Sequence, residues 1–306
     1  MNRHELVDVA TIGASGLLLG DAKLFDRSVE SPPIGDAVAG SAVPDLGPFD
    51  PEAPTVRTVD VETPVGTVEA AYLPWRWLGP EHPTLLYHHG SGERPFDFGR
   101  FSANSFRRLV AGGAFDAPVN LLALRAPFHD RSSRAYARAL GDLSNFVGML
   151  AASTALLEAL RAAVVDAGAP AVTVSGVSLG GFVTNLHRAY RGDAGFGTAD
   201  RYVPLLAGAA LGELFASSVY RWMTGERARS NPDRLRAVLG FEDAFRAVER
   251  EDCAPLLARH DRVGEYDRQR PTYAGMDVGV IEKGHVTGAL ASGSLRTWIR
   301  RNLAEG

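Results

Sequence analysis

The fold of this chain is decided by the stretch AVTVSGVSLGG at residues 171–181. Its first four residues form a short apolar run, and a helical pattern follows over residues 182–190. Glycines two positions before and two positions after a serine allow a sharp turn in which the serine takes a strained conformation and its hydroxyl projects outward. This spacing also occurs in plain tight turns, but its placement between an apolar strand and a helix favours a chemical role. The sequence therefore predicts a strand–turn–helix unit with Ser178 as a candidate nucleophile.

Short apolar runs alternate with longer helical patterns over most of the chain, which is typical of crossover units that feed a parallel sheet. Before them, apolar and polar residues alternate around residues 59–68, as in an antiparallel hairpin with one solvated face. The Ala- and Leu-rich stretch 135–167 fits one or two helices. The predicted parallel strands are residues 84–87, 119–124, 171–174, 203–206 and 278–281, with 255–259 as the penultimate strand. We therefore predict an α/β fold.

Proline content divides the chain into a leader and a folded domain. Six prolines fall within residues 31–54, which is typical of a linker or of a clamp wrapped over a domain. We predict a helical and proline-rich leader over residues 1–54 and a compact domain over residues 55–306. Within that domain, residues 211–251 have a helical pattern and form a candidate lid.

Composition and charge exclude several classes of protein. The 306 residues are 45% hydrophobic and 22% charged, close to the average for folded proteins, which excludes collagen-like and wholly disordered chains. A net charge of −4 gives no positive field for a polyanion, so we expect no nucleic-acid partner. The single cysteine, Cys253, excludes an internal disulfide and fits a reducing compartment, so we expect a cytoplasmic protein. The composition leaves the oligomeric state open.

An apolar run over residues 9–20 lies where the core of a signal peptide would be. Asp8 interrupts the run, and the positively charged segment before it is weak. The run is also shorter than the roughly 20 residues that span a bilayer. We therefore expect a docking helix or a peripheral membrane contact here.

A serine nucleophile needs a base and an orienting acid, and in this topology the acid and then a histidine follow the serine along the chain. His285 comes just after the predicted strand 278–281, where a loop can deliver its imidazole to the serine. Several aspartates precede it in the last third of the chain. Asp261 is favoured because it falls on the exit loop of the predicted strand 255–259, and Asp267 is the next choice. Most aspartates are solvated surface charges, so this assignment depends on the predicted loop.

Two backbone N–H groups should hold the oxyanion that forms when the serine attacks a carbonyl. One is the N–H of Leu179, the residue after the nucleophile. The other should come from the loop after the first parallel strand, which reads HHGSG at residues 88–92. Its small residues let the backbone approach a ligand, and the N–H of Ser91 is the candidate.

The remaining histidines suggest structure rather than metal binding. His88 and His89 are adjacent on a predicted strand and should point to opposite faces, so we expect structural roles rather than a metal ion. We expect His89 to hold the loop by hydrogen bonds and His88 to be a satisfied core residue. The loop 125–131 fits substrate contact and a solvated, salt-bridged turn equally well, and His129 receives no role. The glycines near residue 13 match neither a dinucleotide fingerprint nor a P-loop, so we expect no cofactor.

The order of these motifs resembles the α/β-hydrolase superfamily from about residue 55 to the end of the chain. More narrowly, it resembles the group around abhydrolase-domain-containing protein eighteen, through HHG at 88–90, AP at 126–127, GG at 180–181 and GHV at 284–286. The superfamily resemblance implies an eight-stranded, mostly parallel sheet flanked by helices. It also implies a Ser-His-Asp triad, carried here by Ser178, His285 and Asp261.

The residues and the resemblance together predict a serine hydrolase that cleaves a carboxylic ester or related acyl bond of a small molecule through an acyl-enzyme. Two alternatives stay open. The first is a lipid or phospholipid acyl hydrolase acting at a membrane surface, with the leader around residues 12–19 and the candidate lid 211–251 as an apolar mouth. The second is a non-catalytic ligand-binding protein on a hydrolase fold, because a fold alone does not confer activity.

Overall fold

The computed structural model describes residues 1–191 and 199–305, and a β-sheet of eight strands lies at the centre of this part of the chain. The strands are β1 (Arg57–Val61), β2 (Val68–Arg76), β3 (Thr84–His88), β4 (Asn120–Arg125), β5 (Val172–Val177), β6 (Arg201–Leu205), β7 (Leu256–Ala258) and β8 (Gly279–Ile281).

The strand order is β1-β2-β4-β3-β5-β6-β7-β8. β2 is antiparallel to both of its neighbours, β1 and β4, and the other pairs of neighbouring strands are parallel. The carboxyl ends of β3 to β8 therefore meet at one edge of the sheet, which is where loops collect to form a site. The prediction of an α/β fold with a mostly parallel, eight-stranded sheet is confirmed.

Helices flank the sheet and fill the connections between strands. In the described residues the α-helices are α1 (Arg3–Leu19), α2 (Ile34–Ala39), α3 (Ser133–Ala139), α4 (Leu143–Asp166), α5 (Leu179–Tyr190), α6 (Leu211–Ala216), α7 (Glu226–Arg229), α8 (Pro232–Leu239), α9 (Glu242–Arg246), α10 (Tyr266–Gln269), α11 (His285–Ala289) and α12 (Ser292–Arg301). A π-helical turn covers Arg107–Ala111, and 3₁₀ turns cover Tyr220–Trp222 and Arg270–Tyr273. The candidate lid, residues 211–251, contains α6 to α9, and its role as a lid stays a prediction.

Both faces of the sheet are buried, because successive side chains on a strand point to opposite faces. On β4, Leu121 belongs to an apolar cluster with Leu295 and Ile299 of α12. The next residue, Leu122, belongs to the opposite cluster, which includes Leu156 of α4. The sheet is therefore a central layer between two layers of helices.

α4 is the longest helix in the described residues and lies inside the larger cluster. Its length and apolar composition would allow it to cross a membrane, but 83% of its most apolar window is buried in the fold. That burial is typical of a core helix.

β2 differs from the prediction of a hairpin with one solvated face. The hairpin turn forms as expected, with hydrogen bonds between Thr63 and Gly66 in both directions. However, the middle residues 70–74 of β2 are all buried. β2 pairs with β4 as well as β1, so it is an inner strand that is covered on both faces, whereas β1 at the sheet edge keeps the alternating pattern.

The segment before β1 packs on the sheet-and-helix core. Phe25, Ile34 and Val38 are fully buried and belong to the same apolar cluster as α4. The Arg191 guanidinium, at the end of α5, donates hydrogen bonds to the carbonyl oxygens of Val38 and Ser41. Residues 22–41 therefore pack over the domain, and we call them the clamp. They include only the first part of the proline-rich segment 31–54, for which a linker and a clamp were both open.

Candidate active site

Ser178 occupies the turn between β5 and α5. Its backbone angles, φ 55° and ψ −111°, lie in a region that residues with a side chain rarely adopt. A Cβ atom on Gly176 would lie 2.5 Å from the backbone of Gly180, and one on Gly180 would overlap the carbonyl oxygen of His88. Close backbone approach therefore requires both flanking glycines, and the turn presents the serine hydroxyl at the carboxyl edge of the sheet.

A continuous chain of hydrogen bonds joins Ser178 to the predicted base and acid. His285 begins α11 just after β8, and its Nε2 lies 2.9 Å from the Oγ of Ser178. Its Nδ1 lies 2.7 Å from the Oδ2 of Asp261, in the loop after β7. The structure thus brings together the three residues predicted for these roles. Asp267, the next choice for the acid, is exposed on α10.

The carboxylate of Asp261 is held from behind by its own loop. Its Oδ1 accepts hydrogen bonds from the N–H groups of Val263, at 2.8 Å, and Gly264, at 2.7 Å. A carboxylate is acceptor-only, so the Nδ1 of His285 carries a proton and its N–H donates a hydrogen bond to Asp261. The Nε2 of His285 is then free to accept a proton from Ser178.

The protonation of His285 is set by opposing effects. Burial lowers the pKa of His285, but the charge and hydrogen bond of Asp261 and the charge of Asp8 outweigh it, so that the pKa is raised above its ordinary value. A histidine in this state is a stronger base than a solvated one.

The two predicted oxyanion residues lie beside the nucleophile. Leu179 is the first residue of α5, so its N–H belongs to the unpaired donors at a helix start. Ser91 lines the same cavity as Ser178 and Leu179, and its Oγ lies 3.0 Å from the hydroxyl of Tyr136. The structure places both residues beside Ser178, and their donor roles stay predictions.

Solved structures of esterases and peptidases share this architecture. An esterase from Pyrococcus furiosus has a TM-score of 0.53 and 14% identity, covering 85% of this chain and 97% of its own. An acetyl xylan esterase from Paenibacillus sp. R4 has a TM-score of 0.51 and 14% identity, covering 99% of this chain and 95% of its own. A prolyl endopeptidase has a TM-score of 0.53 and 15% identity over 83% of this chain.

These likenesses, taken with the strand order and the serine turn after β5, settle the architecture. The chain has the α/β-hydrolase fold. This chain spans 38% of the length of the peptidase chains it matches. No family model and no curated protein matches the sequence.

Three histidines hold the loops next to the nucleophile in this α/β-hydrolase fold. His89 donates from Nδ1 to the carbonyl oxygen of Gly90 and accepts at Nε2 from the N–H of Ala126. His129 accepts from the N–H of Gly92 at Nε2. The expectation that His88 and His89 point to opposite faces is wrong, because β3 ends at His88 and the two rings stack 4.8 Å apart. Within the described residues no group of three or more His, Cys, Asp or Glu is arranged to hold a metal ion.

Burial keeps these three imidazoles neutral. It lowers the pKa of His88 to about 4 and that of His129 to about 3, and it lowers the pKa of His89 well below its ordinary value. Each ring of His89 and His129 needs one protonated and one free nitrogen for the hydrogen bonds it makes. Neutral rings of His89 and His129 therefore hold the loop after β3, as was expected for His89.

A small apolar cavity opens beside Ser178. Its volume is about 30 Å³, and most of its wall is aromatic or aliphatic. The residues that line it are Leu24, Ser91, Tyr136, Leu140, Phe146, Ser178, Leu179, Phe182, Leu211, Leu214, Phe215 and Tyr220. Three parts of the chain far apart in sequence thus build one wall: the clamp, α3 with α4, and the start of the candidate lid.

Sequence reasoning missed two side chains at this site. Tyr136 holds Ser91, but as one aromatic in a helical pattern it carried no distinguishing signal. Asp8 was noted only as an interruption of an apolar run, and the structure places it, fully buried, against the loop of His285. A lone carboxylate inside an apolar helix is the signal that could have found it, since such a group is buried only when it has partners.

Proposed function

We propose that this protein is a serine hydrolase that cleaves a carboxylic ester or a related acyl bond through an acyl-enzyme. The observation that carries the proposal is the continuous hydrogen-bonded chain from Ser178 through His285 to Asp261. The neighbouring esterases and peptidases of the same fold agree with acyl hydrolysis as the general chemistry.

In the acylation step, the Nε2 of His285 takes the proton of Ser178 while Oγ forms a bond to the acyl carbonyl carbon. The carbonyl oxygen becomes an oxyanion, which the N–H groups of Leu179 and Ser91 stabilise. The bond to the leaving group then breaks, and His285 gives that group its proton. Asp261 keeps the proton of His285 on Nδ1 and stabilises the charged ring.

In the deacylation step, water takes the place of the leaving group. His285 removes a proton from the water, whose oxygen attacks the acyl carbon of the ester on Ser178. The second tetrahedral intermediate collapses, the carboxylic acid leaves, and His285 returns the proton to the serine oxygen. The residues described here supply each proton transfer.

The size of the cavity favours a short acyl group. Since about 10–15 Å³ of such space holds one water molecule, a cavity of about 30 Å³ accommodates a group the size of acetyl. A longer chain requires the side chains of Phe215 and Tyr220 to move, and both belong to the candidate lid region. We therefore propose a short-chain ester as the substrate.

The test of the proposal is covalent labelling with a fluorophosphonate, followed by intact mass measurement and peptide mapping. We expect one adduct on Ser178 in the wild-type protein and none in Ser178→Ala, which should also lose turnover of p-nitrophenyl acetate. Thermal unfolding of the variant shows whether it remains folded. An unlabelled but well-folded wild-type protein would favour the non-catalytic ligand-binding alternative.

Acyl specificity is tested with p-nitrophenyl esters of increasing chain length. We expect kcat/KM to decrease from acetate to octanoate, because the longer chain meets Phe215. In Phe215→Ala the preference should move to longer chains, whereas Phe101→Ala, which changes a side chain that is 94% exposed, should leave it unchanged. An unchanged preference in Phe215→Ala contradicts the assignment of the cavity as the acyl site.

One observation favours the lipid hydrolase as a second candidate. The outer face of α1 exposes Leu6, Leu17 and Leu18, and the exposed Trp222 follows Tyr220 of the cavity wall by two residues. An apolar helix face of this kind binds at the boundary of lipid headgroups and acyl chains. For this candidate, phospholipid vesicles should increase activity, and Leu17→Ser with Leu18→Ser should remove the increase. Activity that is independent of vesicles contradicts it.

A cytoplasmic location and the absence of a nucleic-acid partner stay predictions from composition. The narrower resemblance to the group around abhydrolase-domain-containing protein eighteen also stays a prediction, because the solved structures support the fold only.

A further inference from the structure

Asp8 is a fully buried carboxylate that the proposed chemistry does not use. It lies in α1, and its side chain contacts two loops near the opposite end of the sequence. Its Oδ2 accepts hydrogen bonds from the N–H of His285, at 2.7 Å, and from the N–H of Arg262, at 3.1 Å. Its Oδ1 accepts from the N–H of Val286 at 2.9 Å. Both carboxylate oxygens are thus occupied by backbone donors.

Two of these donors belong to the first turn of α11, which His285 begins. The N-cap residue of this helix is Gly284, which has no side chain to accept a hydrogen bond from the first turn. The hydroxyl of Thr287 accepts the N–H of Gly284 itself, which lies before the first turn. Asp8 therefore supplies from another helix the cap that Gly284 lacks, and its charge lies at the end of α11 that favours an anion.

The close approach of the two helices explains why a glycine precedes the histidine. A Cβ atom on Gly284 would lie 2.8 Å from Oδ2 of Asp8 and 2.9 Å from the carbonyl oxygen of His4. A serine or threonine at this position could cap α11 locally, but it would push α1 away. The sequence thus uses a distant carboxylate in place of a local cap.

The third donor connects Asp8 to the loop of the acid. Arg262 follows Asp261 directly, so the N–H that Asp8 holds belongs to the peptide bond next to the acid. One carboxylate therefore fixes the backbone on both sides of the hydrogen bond between His285 and Asp261. The separation of Nδ1 and Oδ2 is set by a group that contacts neither atom.

We propose that Asp8 is a positioning residue of the proposed serine hydrolase, which holds the loops of His285 and Asp261 in their working arrangement. The inference rests on the proposed function for its kinetic consequence, but the contact between Asp8 and the loop of His285 has an effect that can be measured without turnover.

The charged and titratable groups around this contact come from three elements. α1 contributes Asp8 and also His4, which lies 2.9 Å from the hydroxyl of Thr287 and stacks on His260. The loop after β7 contributes His260, Asp261 and Arg262, and the loop after β8 contributes Lys283. Burial lowers the pKa of His285, and the charges of Asp261 and then Asp8 raise it. Removing the charge of Asp8 should therefore lower the pKa of His285.

The variant that tests the proposal is Asp8→Asn, which keeps the size of the side chain and removes its charge. The imidazole resonances of His285, assigned by their absence in His285→Gln, are followed by NMR as the pH changes. We expect the midpoint for His285 to move to lower pH in Asp8→Asn. Asp21→Asn is the matched control, because Asp21 is an exposed carboxylate of the same N-terminal segment and pairs with Arg134.

The kinetic measurement uses the same proteins. We expect kcat for an acetate ester to decrease about 10- to 100-fold in Asp8→Asn, because small displacements of catalytic groups have effects of this size. KM should change little, since Asp8 does not line the cavity. The acid limb of kcat/KM should move to lower pH together with the NMR midpoint. Fluorophosphonate labelling should slow in parallel.

The outcomes separate this inference from the proposed function. An unchanged His285 midpoint and an unchanged kcat in folded Asp8→Asn overturn the role of Asp8, even if the wild type is labelled at Ser178. Failure of the wild type to label overturns the proposed hydrolase, and the NMR midpoint then still decides whether Asp8 acts on His285. If Asp8→Asn does not fold, Gly284→Ala displaces the carboxylate instead and should give the same shift in the midpoint; no shift in that variant overturns the inference.

Discussion

At the scale of single residues, Ser178 combines a chemical role with an unfavourable backbone conformation. A residue with a side chain held in such a region costs about 1–3 kcal/mol, and the surrounding hydrogen bond from the Ser178 N–H to the Leu205 carbonyl oxygen, at 2.8 Å, helps to hold it there. The strain places the hydroxyl in line with Nε2 of His285. Stability and the proposed activity are thus opposed at one position.

This opposition predicts different stabilities for two inactive variants. Ser178→Gly removes the strain and should be more stable than Ser178→Ala by about 1–2 kcal/mol, because alanine keeps the Cβ that makes this conformation unfavourable. Urea unfolding of both variants measures the difference. Equal stabilities would show that the turn is relaxed around the serine.

Asp261 provides a second prediction at this scale. In Asp261→Asn the amide N–H₂ group can face Nδ1 of His285, so Nδ1 becomes the hydrogen-bond acceptor. The ring proton then lies on Nε2, and Nε2 can no longer accept the proton of Ser178. We expect kcat to decrease by about 10³- to 10⁴-fold while the fold is kept, as judged by thermal unfolding. A loss of less than about tenfold would mean that another group orients His285.

At the scale of secondary-structure elements, the clamp before β1 is part of the core. The ring of Phe25 contacts Phe146 of α4 at a centroid distance of 5.4 Å and Phe215 of α6 at 4.8 Å. These aromatic pairs join three segments that also line the cavity. The N-terminal segment therefore shapes the proposed acyl site as well as covering it.

Removing the ring of Phe25 should destabilise the whole protein. We expect Phe25→Ala to lower the free energy of unfolding by about 3–5 kcal/mol, the usual cost of deleting a buried aromatic ring. Leu18 lies in α1, just before the clamp, and its side chain is 84% exposed. Leu18→Ala should therefore change the free energy of unfolding by less than about 0.5 kcal/mol. Denaturant unfolding of the two variants tests this, and a loss below 1 kcal/mol in Phe25→Ala would mean that the clamp folds separately.

The elements also show what the sequence could and could not predict. Local rules predicted the serine turn, since glycines and an apolar strand are contiguous there. Chain order and the predicted strand 278–281 selected His285, and the exit loop of the predicted strand 255–259 favoured Asp261 over the other aspartates. The burial of β2 was missed because pairing with β4 is a long-range event. Phe25 was missed for the same reason, because it is an ordinary residue locally and its partner Phe146 lies more than 100 residues away. Asp8 gave a local signal as a carboxylate in an apolar run, but its partners are equally distant, so the sequence did not show what it contacts.

At the scale of the whole molecule, the buried neutral histidines affect stability in acid. Unfolding exposes them, and below their ordinary pKa of 6.5 the unfolded chain binds protons that the folded protein does not. The free energy of unfolding therefore falls as the pH decreases from 6.5 towards the folded pKa values of about 4 for His88 and about 3 for His129. The raised pKa of His285 stabilises the folded protein in the same pH range. This is the effect of one histidine, whereas His88, His89 and His129 have lowered pKa values.

His88 allows this effect to be measured. Its Nε2 has no hydrogen-bond partner among the described residues, so His88→Phe removes the titrating group without breaking a bond at that atom. As the pH decreases from 6.5 to 5, the free energy of unfolding should fall in both proteins. We expect the fall in His88→Phe to be smaller than in the wild type by about 1.4 kcal/mol per pH unit. Denaturant unfolding at several pH values measures the slope, with the surface change His82→Phe as control. Identical slopes for His88→Phe and the wild type contradict the assignment.

The contact between Asp8 and His285 also has a consequence for how the protein is made. The two residues are 277 positions apart, so α1 leaves the ribosome long before the segment that donates to its carboxylate has been synthesised. Until then the buried face of α1 has an anion without these donors. The site can therefore be completed only after synthesis has passed α11, and a nascent chain that stalls before α11 carries the serine turn without the base that would activate it.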